Sequence, residues 1–127
     1  MSALTLEQIV EIEISRSCPE NNLQETLALI NAIDKNRIVR FNDSVFIFTN
    51  RGKGVASFSM CNADDLASMA DSLGQFGAFM KQCNYNKLLF TTKRKAMLRM
   101  GKKTAFSFTS EWSDAQNQFL GEVDLNV

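Results

Sequence analysis

At 127 residues the chain is long enough for one domain with a proper core, and one proline and six glycines exclude a linker-rich or disordered polymer. Apolar content of 45% and charged content of 22% are ordinary for a globular protein. Fourteen acids balance fourteen bases, so no net field draws the whole molecule to nucleic acid or a membrane surface.

Thr5-Leu6-Glu7-Gln8 has the form of a capping box and opens a run with Leu6, Ile9, Val10 and Ile14. A helix is expected over residues 5–15, although the alternation Val10 to Ile14 suits a strand equally. Asn22-Leu23-Gln24-Glu25 is a second cap signal after Pro19, and Leu23, Leu27, Ile30 and Ile33 share one helical face. That helix should end near Asn36.

The period changes to two at Arg37. Ile38 to Phe41 reads as a short strand, Asn42-Asp43-Ser44 as a turn, and Val45 to Thr49 as a strand buried on both faces. Asn50 to Gly54 turns the chain, and Val55 to Met60 returns as the antiparallel partner. Asn62 or Asp64 can cap the next helix, whose stripe Leu66, Met69, Ala70, Leu73, Phe76, Gly77 and Met80 reaches residue 82. Close packing against the sheet is expected to offset the helix weakening at Gly74 and Gly77.

Leu88 to Thr91 reads as a central strand, and Lys93 to Gly101 as a short helix capped by Thr92, with Ala96, Met97 and Met100 inward. Thr104 to Thr109 is a further strand. Trp112 falls in a more polar tail, where Phe119, Leu120 and Val123 could add a last edge strand.

Few residues are candidates for chemistry. The chain has no histidine, which excludes Ser–His and Cys–His nucleophiles, and Cys18, Cys61 and Cys83 form no Cys-x-x-Cys. No metal site is expected, and the cysteines should be buried free thiols in a reducing compartment. The N-terminus has no basic segment leading into an apolar run, and no apolar stretch approaches ~18 residues, so cytoplasmic residence is expected and no membrane contact. Asp64 and Asp65 could bind a cation or do acid–base work, but stabilising a helix N-terminus explains them more simply. Tyr85 lies in the loop before Leu88.

Charge is segregated along the chain. Glu7, Glu11, Glu13, Glu20, Glu25 and Asp34 outnumber Arg16 and Lys35 in the first 35 residues. Lys87, Lys93, Arg94, Lys95, Arg99, Lys102 and Lys103 follow one another with no acid between. Such a run is a solvated face or a contact patch for an acidic partner. Phe106 and Phe108 follow it and are the one aromatic pair placed to stack on a base. Core packing is the expectation for the other aromatics, and nucleic-acid binding is not expected.

Arg51-Gly52-Lys53-Gly54-Val55-Ala56-Ser57 resembles the phosphate-binding loop of acetyltransferases, where backbone N–H groups at a helix start cradle the pyrophosphate of coenzyme A. Spacing favours a hairpin turn instead. More than thirty residues separate Gly54 from Leu88, and Val55 to Met60 alternates as a strand does. With the hairpin, the loop position falls at Cys61 to Asp65, which has two carboxyls and no glycine.

The order of elements over residues 38–109 resembles the GNAT N-acetyltransferase superfamily. Phe76-Gly77-Ala78-Phe79-Met80-Lys81, Leu88-Leu89-Phe90-Thr91-Thr92, Lys93 to Gly101 and Ala105-Phe106 are similar to its terminal motif. They are more similar still to degenerate acetyltransferase-like proteins of tailed bacteriophages, which are internal virion or head-assembly components. The resemblance implies one α/β (α+β-type) domain over 1–127. Residues 1–36 would form a helical part, and residues 37–127 a mixed, mostly antiparallel sheet flanked by helices.

Active members carry the glycine loop, a carboxylate base on the strand before it and often a tyrosine on the last helix. Here Ser57, Ser59 and Cys61 stand on that strand, and Met97 and Leu98 on that helix. The resemblance therefore carries over no catalytic residue and no cofactor. It implies a non-enzymatic phage protein in the host cytoplasm or in a particle, docking to other proteins. Lys93, Arg94, Lys95, Arg99, Lys102 and Lys103 are the expected contact residues. Two alternatives stand beside it. One is an active N-acyltransferase using acetyl coenzyme A through Arg51, Gly52, Lys53 and Gly54, and the other is a small regulator of a host protein.

Overall fold

The computed structural model of the chain describes residues 4–17, 19–93, 95, 98–99, 103–104 and 106–126. The first helix, α1, spans Leu6–Ser17. Its capping box closes reciprocally: the Thr5 N–H donates to Gln8 Oε1 at 2.8 Å and the Gln8 N–H to Thr5 Oγ1 at 3.2 Å. That cap decides the ambiguous run Val10 to Ile14 in favour of helix, and Ile9 and Val10 are buried. Helix α2, Leu23–Asn31, starts where Asn22 Oδ1 accepts the Glu25 N–H at 3.0 Å. It ends earlier than the expected Asn36. Asp34 takes the Asn36 N–H at 2.9 Å and starts a separate 3₁₀ turn, Lys35–Arg37, so the local Asx bond wins over helix continuation.

Among the described residues six strands follow: β1 Ile38–Phe41, β2 Ser44–Gly52, β3 Val55–Asn62, β4 Lys87–Thr92, β5 Ser107–Ser113 and β6 Gln118–Asp124. They form one sheet in the order β1-β2-β3-β4-β6-β5, antiparallel throughout except for the parallel pair β3–β4. The expected hairpin is present, with Phe48 opposite Phe58 and Val45 opposite Cys61.

Two expectations about the last strands fail. The strand read as Thr104 to Thr109 runs from Ser107 to Ser113 and includes Trp112. The strand read as an edge, β6, lies between β4 and β5 and pairs on both sides, so β5 is the edge. Polar residues mask this strand in the sequence: Glu122 and Asp124 alternate with the buried Val123 and point to the less covered face.

Helix α3, Leu66–Gln82, lies across one face of the sheet. Met69, Leu73, Phe76 and Met80 of the expected stripe are buried, and the Phe76 ring stacks on Phe46 of β2 with centroids 4.2 Å apart and planes at 7°. Gly77 is closely packed, but against the Phe106 ring, which precedes β5, and not against a strand as expected. Gly74 faces open space, so nothing packed offsets its cost. Phe106 and Phe108 belong to this core, Phe108 lying 6.0 Å from Phe90, and are not a stacking platform. Val45 points away from Phe46 and is also buried, under α1, which packs on β2 and β3. Double burial of β2 stops at Phe46. Ile47, Phe48 and Thr49 are only half covered.

Lys93, Lys95, Arg99 and Lys103 are exposed, and Lys95, Leu98 and Arg99 are helical. Leu98, not expected to face inward, packs on the core. Arg94, Lys102, Ala96, Met97 and Met100 lie outside the described residues, as does Cys18. The expectation of buried thiols fails at Cys83, which is exposed, and Cys61 is half-buried. Among the described residues no helix is long and apolar enough to cross a membrane.

Candidate functional site: a forked sheet and a closed helix start

Strands β3 and β4 pair only through Val55/Lys87, Ala56/Leu88 and Ser57/Leu89. Beyond Ser57, β3 continues to Asn62 against β2, while β4 continues to Thr92 against β6. The sheet therefore forks at the carboxyl ends of two adjacent parallel strands, where α/β folds hold ligands.

A groove of about 850 Å³ opens over this fork. Its floor is Thr49, Ser57, Ser59, Leu89, Thr91 and Leu120, which alternate with the residues that face α3. Arg37 and Arg51 stand on one side and Glu111 and Glu122 on the other. Each arginine is braced: Arg37 donates through Nη2 to Thr49 Oγ1 at 2.5 Å and through Nε to the Phe48 carbonyl at 2.9 Å. Arg51 Nε donates to Ser57 Oγ at 2.9 Å. Glu122 pairs loosely with Lys87 at 3.8 Å, an exposed contact of little energetic weight.

The start of α3 is closed by carboxyls. Asp65 is its N-cap, in place of the expected Asn62 or Asp64, and accepts the Ser68 N–H at 2.8 Å. That backbone N–H, followed by the Ser68 side chain, holds the Asp65 carboxyl below the ordinary carboxylate range. Asp64 has a different task. It is 6% exposed, and its Oδ2 lies 2.5 Å from Ser44 Oγ and 2.9 Å from Ser72 Oγ. Its Oδ1 accepts the Asp43 N–H at 3.0 Å, and its carbonyl accepts from Arg16 Nη1 of α1 at 3.1 Å. Asn62 Oδ1 takes the Asp64 N–H at 2.9 Å. The segment joining β3 to α3 is thus tied to β2, α1 and the body of α3.

The residues of the glycine motif lie at the other end of β3, about 25 Å away at roughly 3.3 Å per residue. Gly52, Lys53 and Gly54 all have positive φ, at 88°, 56° and 78°, and form the β2–β3 turn. Asn50 Oδ1 accepts the Gly52 N–H at 2.8 Å, and the Gly54 carbonyl accepts the Asn86 N–H at 2.8 Å. The turn and the docking of Asn86 account for both glycines, and no helix begins there. Of this motif only Arg51 and Ser57 reach the groove. Tyr85 packs edge-on against Phe48 with centroids 6.2 Å apart.

Arg37, Glu111 and Glu122 were not singled out in the sequence. Period-two alternation over 107–113 and 118–124 was the signal that could have placed both glutamates on one face. No group of three or more His, Cys, Asp or Glu among the described residues could hold a metal ion.

The same architecture occurs in solved N-acetyltransferases. The ribosomal-protein-S18-alanine N-acetyltransferase of Escherichia coli matches over 99% of this chain and 93% of its own, with a TM-score of 0.59 and 11% identity. A GNAT-family acetyltransferase from Bacillus anthracis matches over 92% and 82%, with a TM-score of 0.57 and 9% identity. An N-acetyltransferase from Staphylococcus aureus Mu50 matches over 84% and 79%, with a TM-score of 0.52 and 13% identity. No family model and no curated protein matches the sequence. The chain has a GNAT-like fold, a six-stranded, mostly antiparallel sheet flanked by helices.

Proposed function

We propose that this chain is a non-catalytic GNAT-like domain that works by docking to other proteins, as an assembly or internal component of a tailed-bacteriophage particle. The observation that carries the non-catalytic part is the start of α3. A pyrophosphate there would need free N–H groups and a short, uncharged loop. Instead Asp65 occupies the Ser68 N–H, and the buried Asp64 sits behind it, engaged by Ser44, Ser72 and Asp43. Two carboxyls at this point repel a phosphate and leave no cradle. The phage setting rests on the resemblance of residues 76–106 to degenerate phage proteins. Exposed Lys93, Lys95, Arg99 and Lys103 supply a basic contact surface, to which Arg94 and Lys102 add by sequence.

A second reading, an active N-acyltransferase, draws on the fork of β3 and β4 and the groove over it. Thermal-shift titration with acetyl coenzyme A separates the two. The docking reading expects a flat melting temperature up to millimolar ligand, and a saturable rise overturns it. Mass spectrometry of purified particles then tests the setting: presence in particles fits an assembly component, whereas recovery only with a host protein from lysate fits a regulator.

A further inference from the structure

We propose that two copies of this chain associate by antiparallel pairing of their β5 strands about a two-fold axis at Ser110. Strand β5 is an edge of the sheet, seven residues long, with Ser107, Thr109, Ser110 and Glu111 exposed. Natural edges are usually blunted by shortness, lysine, proline or a bulge. The opposite edge, β1, follows that rule with four residues and an exposed Arg40. The β5 sequence has no lysine and no proline, and its single charge is Glu111.

The strand is also self-complementary. Ser107-Phe108-Thr109-Ser110-Glu111-Trp112-Ser113 reads serine, aromatic, polar, serine, polar, aromatic, serine from either end. Pairing about Ser110 sets Phe108 against the other copy's Trp112, Thr109 against its Glu111 and Ser107 against its Ser113. No like charges stand directly opposite, and two aromatic pairs form on one face, the favourable cross-strand combination. Both aromatics are already oriented: Phe108 lies beside Phe90, and Trp112 meets Phe119 edge-on with centroids 4.9 Å apart. Trp112 is nevertheless 48% exposed, and the partner's Phe108 would cover it. An isologous contact of this kind closes as a dimer and does not propagate.

The pairing also extends the groove. Thr109 and Glu111 line it, so the other copy's Glu111, opposite Thr109, adds a carboxyl to the rim of each groove. The two Glu111 side chains become diagonal neighbours on that face, about 7–8 Å apart, and oppose the association slightly. A single strand pair with two aromatic contacts is a small interface, of the size class of weak, transient association.

Sedimentation velocity of the full chain over a concentration series, combined with cysteine cross-linking, tests this. In a background with Cys18, Cys61 and Cys83 changed to serine, Ser110→Cys should give a disulfide dimer on mild oxidation. Opposed residues lie about 4.5–5.5 Å apart at Cα, within disulfide reach. Ser107→Cys alone should stay monomeric, because its counterpart would lie about 20 Å away along the strand. The Ser107→Cys, Ser113→Cys pair should link. Glu111→Gln should tighten association severalfold, and Trp112→Lys should weaken it at least tenfold. A chain that sediments as a monomer throughout overturns the proposal, whether or not another protein captures it. Equal cross-linking of Ser107→Cys and Ser110→Cys overturns the register.

Discussion

Asp64 and Ser72 meet behind the first turn of α3, the serine hydroxyl 2.9 Å from Asp64 Oδ2, and Ser44 reaches the same oxygen from β2 at 2.5 Å. Ser44 and Ser72 are fully buried, so both hydroxyls depend on this acceptor and its neighbours in place of water. Asp64→Ala strands the Asp43 N–H and leaves Ser44 only Asn62 Oδ1, at 2.8 Å, and Ser72 only the Ser68 and Phe41 carbonyls, at 2.9 and 3.2 Å. The expected cost is about 2–4 kcal/mol in urea unfolding, with a smaller loss for Asp64→Asn, which keeps one acceptor oxygen. An unchanged midpoint for the alanine variant would show that the cluster does not hold the β3–α3 segment.

Asp65 acts one residue on, at the surface. Its carboxyl titrates below the ordinary 3.8 in the folded chain because the Ser68 N–H favours the ionised form. A lowered folded value stabilises the fold above 3.8, and that contribution is lost as pH falls through the folded value. Asp65→Ala should therefore melt lower than the parent at neutral pH, and the gap should shrink on the acid side of 3.8. A gap of constant size from pH 7 to pH 2 would sink the assignment.

Two glycines in α3 should respond with opposite signs. A Cβ at Gly74 meets no atom within 4 Å, so Gly74→Ala gains helix propensity and should stabilise by about 0.5–1 kcal/mol. A Cβ at Gly77 would fall inside the van der Waals envelope of the Phe106 ring, and Gly77→Ala should cost about 1–3 kcal/mol. Phe106→Ala removes the clash, so a double-mutant cycle should give a favourable coupling between the two changes. Additive effects would mean that Phe106 does not pack on the helix.

The turn glycines differ too. At Gly54, with φ of 78°, an alanine Cβ would stand 2.8 Å from Asn86 Nδ2, and a loss of about 1–3 kcal/mol is expected. Gly52, at φ of 88°, has no neighbour within 4 Å, so Gly52→Ala carries only the backbone cost of about 1 kcal/mol. Chemical denaturation of both variants measures the difference. Equal losses at the two positions would mean that Asn86 does not pack against Gly54.

Much of this was legible in the chain because the relevant interactions are local. The capping box at Thr5, the Asx cap at Asn22, the hairpin between Phe48 and Phe58 and the α3 stripe each depend on residues a few positions apart. Local signals misled where two patterns overlapped. Asp34 could continue α2 or start a turn, and Trp112 looked like tail because polar residues surround it.

Residue types and short spacings by themselves determined α1, the start of α2, α3, the central hairpin, the absence of a histidine-based nucleophile and the displacement of the glycine motif from any helix start. Only the tertiary structure decided that β6 slips between β4 and β5, leaving β5 at the edge, and that Asp64 is buried while its neighbour Asp65 caps α3. It also brought Arg37, Arg51, Glu111 and Glu122 around one groove. Strand order and burial come from contacts across dozens of residues, where packing outweighs local preference. Neighbouring identical carboxyls therefore look alike in a sequence and diverge once the chain surrounds one of them.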